Sequence, residues 1–156
     1  MKIAAGWDHR GWILRERLER AVRLLGHEFV AMGATTGEPS DYPDFAFRVA
    51  RVVGRGEADR GVLICGTGIG MSIAANKVEG IRAGVVYDER TARVSRSHND
   101  TNVLCLGEDT AQGPLLDPIL RIWPATPAEA GRHARRVGKI MEYERQKRAA
   151  QKTAQT

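Results

Sequence analysis

The stretch that most limits what this chain can fold into is residues 61–82. It reads Gly61-Val62-Leu63-Ile64-Cys65-Gly66-Thr67-Gly68-Ile69-Gly70-Met71-Ser72-Ile73-Ala74-Ala75-Asn76-Lys77 and runs on through Gly80-Ile81-Arg82. A short, continuous apolar run bounded by glycine is how a strand buried on both faces reads, and such strands belong to parallel sheets covered by helices. After Cys65, three alternating glycines lead into a small-residue pattern that predicts a helix from about residue 71. Glycines at 66, 68 and 70 let backbone N–H groups come close to a ligand. The start of a helix favours negative charge, so the loop suits a group that is anionic or becomes so. Cys65, at the carboxyl end of the strand beside those amides, is placed as a base or nucleophile.

Two nucleotide readings of the same loop fail. The spacing is Gly-x-Gly-x-Gly, with Met71 where a dinucleotide fingerprint has its third glycine, although Asp88 lies at a suitable distance for a ribose contact. No Gly-Lys-Ser/Thr closes the loop as a P-loop requires. A bland reading makes Cys65 a small core residue and the glycines a turn. Three glycines at a strand-to-helix switch weigh against it.

The rest of the chain repeats the alternation. Residues 2–5 read as a first strand. A helix follows with apolar positions at Ile13, Leu14, Leu18, Val22 and Leu25, stopped by Gly26. Residues 28–31 are a second strand. Asp41-Tyr42-Pro43-Asp44 opens a helix with Phe45, Val49, Val52 and Val53 on its apolar face, closed by Gly54 and Gly56. Beyond the glycine loop come a strand at 82–87, a helix at 89–97 and a strand at 102–106. A helix near 114–122, a break at Pro124-Ala125-Thr126-Pro127 and a last helix over 128–147 complete the pattern. Strands alternating with helices predict a three-layer αβα sandwich around a five-stranded parallel sheet. Ligands of such sheets bind beyond the carboxyl ends of the strands. On this reading His9 and His98 gather at the same edge as Cys65, an acid, base and anion site. Arg132 and Arg136, four apart on the last helix, share a face; on their own evidence they read as ordinary surface arginines beside His133 and Arg135, and the alternative is a clamp for a phosphate.

The 156 residues are expected to form one domain over 1–147, with a polar, stripe-free tail at 148–156 expected to be disordered. The net charge of +5 comes from arginines interleaved with acidic residues on helix-like segments, the pattern of solvated helix faces. With no recognition-helix pattern, zinc-finger spacing or aromatic-and-basic strand pair, a nucleic-acid partner is not expected. Cys65 and Cys105 have no metal-ligand spacing between them and suit a reducing compartment. The chain opens on Lys2-Ile3-Ala4-Ala5-Gly6 without a charged-then-apolar leader, and no apolar run has the length of a membrane span. The expectation is a cytoplasmic protein with no membrane contact.

Taken together, several motifs resemble one family. Asp8-His9-x-Gly11, Asp41-Tyr42-Pro43, the run from Cys65 to Lys77 with Gly80-Ile81-Arg82, Arg96-x-His98-Asn99-Asp100-x-Asn102-Val103-Leu104 and Gly131-Arg132-His133-x-x-Arg136 look like type B ribose-5-phosphate isomerase and its galactose-6-phosphate isomerase relatives. The resemblance covers the chain in order up to about Met141. It implies a Rossmann-like fold, a homodimer or homotetramer with each active site built from two subunits, and no metal or organic cofactor. It also assigns roles. Cys65 would move a proton between C2 and C1 of an open-chain aldose, and the amides of Gly66, Gly68, Ile69, Gly70 and Met71 would hold the enediolate oxyanion. His98, with Thr67, would assist ring opening. Asp8, Tyr42 and Asn99 would contact sugar hydroxyls, and His9, Arg132 and Arg136 would hold the phosphate.

The implied reaction interconverts ribose 5-phosphate and ribulose 5-phosphate. Alternatives are the same chemistry on a six-carbon or four-carbon sugar phosphate or a free aldose, and a non-catalytic sugar-phosphate-binding subunit. Three departures bear on the choice. Glu129 and Ala130 stand ahead of Gly131, where the family often shows an aromatic and a second glycine. Trp7 stands where the family usually has a small residue, which would narrow the mouth of the pocket. Asp109 stands where many relatives carry an arginine able to reach a phosphate.

Overall fold

A computed structural model describes residues 1–153. Five strands, β1 (Lys2–Trp7), β2 (Glu28–Ala31), β3 (Arg60–Cys65), β4 (Ala83–Val85) and β5 (Val103–Gly107), form one sheet in the order β2-β1-β3-β5-β4. Every neighbouring pair is parallel. The helices are α1 (Arg15–Leu24), α2 (Tyr42–Gly54), α3 (Ile69–Ala75), α4 (Glu89–Asn99), α5 (Glu108–Gln112), α6 (Leu116–Ala125) and α7 (Arg132–Thr153), with one 3-10 turn at Trp12–Leu14.

Connections to the left and to the right of β1 and β3 must put their helices on opposite faces if each crossover is right-handed. Accordingly α2 and α3 pack together over one face, while α1, α4 and α6 cover the other. The central strands are dry on both sides: Val62, Leu63 and Ile64 of β3 and Val103, Leu104, Cys105 and Leu106 of β5 have no exposed surface. Helix α2 lies directly on the sheet. A Cβ on Gly6 or Gly61 would come within 2.9 or 2.8 Å of a Val49 methyl, so both positions need glycine for this approach. β1 and β3 are where the strand order reverses, and their carboxyl ends bound the crevice in which such sheets bind ligands.

The three-layer αβα sandwich is as the alternation predicts, with local differences. β1 runs on through Gly6 and Trp7, because Gly6 pays off as packing space and not as a turn. Ile13 and Leu25 fall off the buried stripe of Leu14, Leu18 and Val22, and Ile13 is 69% exposed. Helix α3 starts two residues early, at Ile69, with Gly68 as its N-cap at φ +78. Pro124 lies in the last turn of α6, and the break comes after Ala125. The last helix starts at Arg132, after Gly131 at φ +67, and continues to Thr153. Residues 148–153, expected to be disordered, are helical there: Ala149, Ala150 and Gln151 are good helix formers with no breaker among them. Residues 154–156 of that expected tail lie outside the described residues.

Candidate active site

At the carboxyl edge of the sheet, chain direction and register bring three sequence-predicted segments together: Asp8-His9, Asp41-Tyr42 and the glycine loop after Cys65. The amide of Asp8 donates to the carbonyl of Ile64 at 3.3 Å, which ties the end of β1 to the end of β3. Cys65 follows, 5% exposed, and its Sγ accepts a hydrogen bond from the amide of Gly68 at 3.2 Å. The loop can turn this tightly only because of its glycines. Gly68 is left-handed, and a Cβ there would sit 2.9 Å from the backbone of Leu106. A Cβ on Gly70 would meet the Tyr42 ring at 2.6 Å, so that ring closes over the loop. The Thr67 hydroxyl accepts from the Ile69 amide at 3.3 Å. Gly70 and Met71, in the first turn of α3, have no intrahelical carbonyl four residues back, which leaves their amides for an oxyanion.

Asp8 and His9 are held by their own surroundings. One Asp8 carboxylate oxygen accepts from the amides of Arg10 and Gly11, at 2.9 and 3.1 Å, and the side chain is buried. The Nδ1 of His9 faces the backbone of Ser40, whose amide lies at 3.2 Å and carbonyl at 3.3 Å, and the Ser40 hydroxyl accepts from the His9 amide. This leaves Nε2 of His9 for a ligand. Arg10 pairs with Glu108 at the start of α5, and Asp109 lies close enough to act on the same guanidinium. The Glu108 side chain raises the Arg10 pKa through its hydrogen bond and its charge. The amide of Glu108 also donates to the carbonyl of Gly66 at 3.1 Å, which places this charged trio beside the glycine loop. Trp7 does not narrow the mouth. It is buried, donates from Nε1 to the carbonyl of Ala34 at 2.9 Å and packs on Gly33 and Phe29.

The other predicted residues lie at the opposite edge. Helix α4 runs back along the sheet from the end of β4 to the start of β5, and His98 and Asn99 are in its last turn, not in a loop. Within one chain His98 is therefore not at the edge of Cys65, and that expectation is corrected. The register Gly61↔Val103 to Cys65↔Gly107 puts about 13 Å of strand between the two edges. His98 stacks on His133, with ring centroids 4.0 Å apart and planes at 8°. Arg132, His133 and Arg136 belong to the first turns of α7, and Arg132 Nε donates to His133 Nε2 at 3.3 Å. Burial pushes the His133 pKa down, and neighbouring His98 adds to this.

Polar clamps that the sequence reading did not single out hold this edge. Arg96 is buried and donates to Asp100 and to the carbonyl of Thr101, both at 2.6 Å. Asp100, at φ +47, ends α4 and accepts from Arg82 at 2.9 Å. Asn102 accepts from the amide of Arg82 and donates to the carbonyl of Gly80, both at 2.8 Å. Asn76 clamps Ala83 in the same way. The available signal was the i, i+4 charge spacing of Arg96 and Asp100; Asn76 and Asn102 pair with backbone groups and carry none.

Cys105 offers a contrast with Cys65. It is fully buried in mid-strand, and burial, with Cys65 nearby, pushes its thiol well up.

Residues 3–140 match the family model described as Ribose/Galactose Isomerase. The chain is 44% identical over 146 residues to ribose-5-phosphate isomerase B of Escherichia coli strain K12, covering 94% of this chain and 98% of that one. It is 40% identical over 127 residues to D-erythrulose-4-phosphate isomerase 2 of Mycolicibacterium smegmatis, covering 79% and 83%. The crystal structure of ribose-5-phosphate isomerase B from Mycoplasma genitalium with bound ribulose-5-phosphate superposes with a TM-score of 0.87 at 38% identity, over 92% of this chain and 96% of that one. The chain belongs to the ribose/galactose isomerase family and is an isomerase.

Proposed function

We propose that this sugar-phosphate isomerase interconverts ribose 5-phosphate and ribulose 5-phosphate without a cofactor. The observation that carries the reading is Cys65, whose Sγ accepts the Gly68 amide at the crevice, beside the Gly70 and Met71 amides that have no intrahelical carbonyl. An aldose-ketose conversion needs one base that moves a proton between adjacent carbons and donors for the oxygen that gains charge. In the open-chain aldose, Cys65 takes the C2 proton. The C1 carbonyl becomes an enediolate oxygen held by the amides of Gly66 to Met71. Cys65 returns the proton at C1, and the proton of the C2 hydroxyl passes to O1. Asp8, Tyr42 and Asn99 hold sugar hydroxyls, His9, Arg132 and Arg136 hold the phosphate, and His98 with Thr67 assists ring opening.

Since Cys65 and His98 lie at opposite edges, this assignment requires a second copy of the chain. A homodimer supplies it if the α3, β4 and α7 face pairs with itself. That face exposes Ile69, Ile73, Tyr87, Ile140 and Tyr143, each at least 56% accessible. Asn99, Tyr87 and Ile140 line one groove along it, beside the unpaired edge of β4. Exposed apolar side chains around a bare strand edge are what a partner covers.

A four-carbon substrate is the second reading, supported by the erythrulose-4-phosphate isomerase relative. An isomerisation screen of four-, five- and six-carbon aldoses, each with and without phosphate, separates the two. Highest kcat/KM on ribose 5-phosphate is expected. A higher value on another aldose would replace the substrate, and no turnover on any would end the enzymatic reading.

A further inference from the structure

We propose that His98, Glu129 and His133 form a binding site for a divalent transition-metal ion of the zinc class, and that filling it switches the isomerase off. The three side chains come from the last turn of α4, the connection at 126–131 and the first turn of α7. Their donor atoms all lie within 4.8 Å of one another. Glu129 Oε2 is 3.6 Å from His133 Nε2, and its Oε1 is 4.0 Å from His98 Nε2. A zinc ion bound at 2.0–2.1 Å holds tetrahedral donors about 3.3–3.4 Å apart. The two separations, measured to different oxygens of Glu129, must shrink by about 0.3 Å and about 0.6 Å, and the two imidazole donors, which lie within 4.8 Å of each other, by up to about 1.4 Å to meet that geometry.

The groups that must move can move. The side chains of His98 and Glu129 are 41% and 56% exposed, so the His98 ring can tilt out of its stack to aim its lone pair at a shared ion. His133 is the fixed member, buried between α4 and α7. Glu129 is anchored by its backbone, whose amide donates to the carbonyl of Ser97 at 2.8 Å. Two imidazoles and one carboxylate are a donor set that suits zinc and leaves the fourth position open. A cavity of about 270 Å³ lined by His98, Glu129, His133, Val137 and Met141 gives an ion access.

Opposing charges limit the affinity. Arg132 donates to the Nε2 of His133 that a metal would take, and Arg136 adds positive charge. The ion is therefore an exchangeable inhibitor and not a structural fixture. Its inhibitory effect rests on the proposed role of His98, whose lone pair a bound metal occupies; the binding itself does not.

The test uses tag-free full-length chain and Co²⁺, whose visible absorption reports tetrahedral nitrogen and oxygen ligation. In a Cys65→Ser background, where that thiol cannot bind, one Co²⁺ per chain is expected, displaced by Zn²⁺. Glu129→Gln and His133→Gln, each checked for native circular dichroism, should weaken it at least tenfold. No tetrahedral Co²⁺ spectrum, or a spectrum that neither substitution changes, overturns the site. In chain with Cys65 intact, Zn²⁺ should inhibit turnover, EDTA should restore it, and Glu129→Gln should raise the inhibitory concentration at least tenfold with basal turnover kept. Inhibition that Glu129→Gln leaves unchanged places the inhibitory ion elsewhere, Cys65 being the alternative. Co²⁺ binding without inhibition keeps the site and overturns the switch.

Discussion

The two edges of the sheet carry the two halves of the proposed site, and they are built differently. The carboxyl edge is made of backbone: amides of the glycine loop, a thiol fixed by a strand end, and a tyrosine ring resting on Gly70. Their positions follow from sheet register and from glycine's freedom, so little conformational entropy remains to be lost on binding. The amino edge is made of long side chains on helix ends, His98, Arg132 and Arg136, supported by the Arg96–Asp100–Arg82 ion-pair cluster. Such groups reach across a gap and tolerate small changes of position. The chemistry needs rigid placement at the proton-transfer end. On the proposed assignment, a phosphate clamp contributed by a second copy of the chain is the adaptable half.

The sharpest way to break this division is at Cys65. Cys65→Ala should lower turnover by about three orders of magnitude or more, abolish exchange of the C2 proton with solvent, and leave circular dichroism and Tm near those of the parent. Near-normal turnover would move the base away from the carboxyl edge and undo the comparison.

A second experiment asks whether the two edges meet across subunits. Cys65→Ala and Arg132→Ala chains are each expected to be inactive. Mixed at random they give half mixed dimers, each with one intact site, so about a quarter of parental activity should return. No recovery in demonstrated mixed dimers would mean that each site lies within one chain.

The sequence showed the carboxyl edge far better than the amino edge, for a physical reason. Glycines at 66, 68 and 70, Asp8-His9 and Asp41-Tyr42-Pro43 each follow a strand end or open a helix, where position along the chain is position at the edge. His98 sits inside a helix, and periodicity says which face a residue lies on but not which end of the sheet it reaches. The crossover geometry of α4 decides that. The clamps made by Asn76 and Asn102 stayed hidden because their partners are backbone groups, which leave no mark in a sequence. The helix α5 was missed because five residues, Glu108-Asp109-Thr110-Ala111-Gln112, are too few to show a period.

A third prediction compares the two thiols on neighbouring strands. Burial raises the pKa of Cys105 in the folded chain, while an unfolded cysteine titrates near 8.5. Above that pH the unfolded state has lost a proton that the folded state keeps, so stability is full below about pH 8.5 and falls as pH rises. The slope from this one group approaches about 1.4 kcal/mol per pH unit. Denaturant unfolding of the parent and of Cys105→Ala between pH 8 and 10.5 should show a shallower decline in the variant, which starts less stable because a buried side chain has been cut back. Equal slopes would place the alkaline loss of stability in other groups.

The smallest effect belongs to the charged trio beside the loop. Arg10 is the cation at the carboxyl edge, and Glu108 and Asp109 leave the trio with one net negative charge. At about 6 Å and an effective dielectric near 20, a carboxylate repels a unit charge on phosphate by roughly 2–3 kcal/mol before screening. Salt and the exposure of Asp109 reduce this to about 1 kcal/mol. Asp109→Arg should then lower KM for a sugar phosphate by about five- to tenfold with kcat almost unchanged, because a phosphate contact acts on ground and transition state alike. Arg10→Ala removes the cation and should raise KM. Neither change should move KM for the unphosphorylated sugar. If Asp109→Arg leaves KM where it was while Arg10→Ala raises it, Asp109 faces solvent and Arg10 alone compensates for the missing arginine. If both are silent, the phosphate is held wholly by the amino-edge arginines and His9, and the carboxyl edge serves proton transfer only.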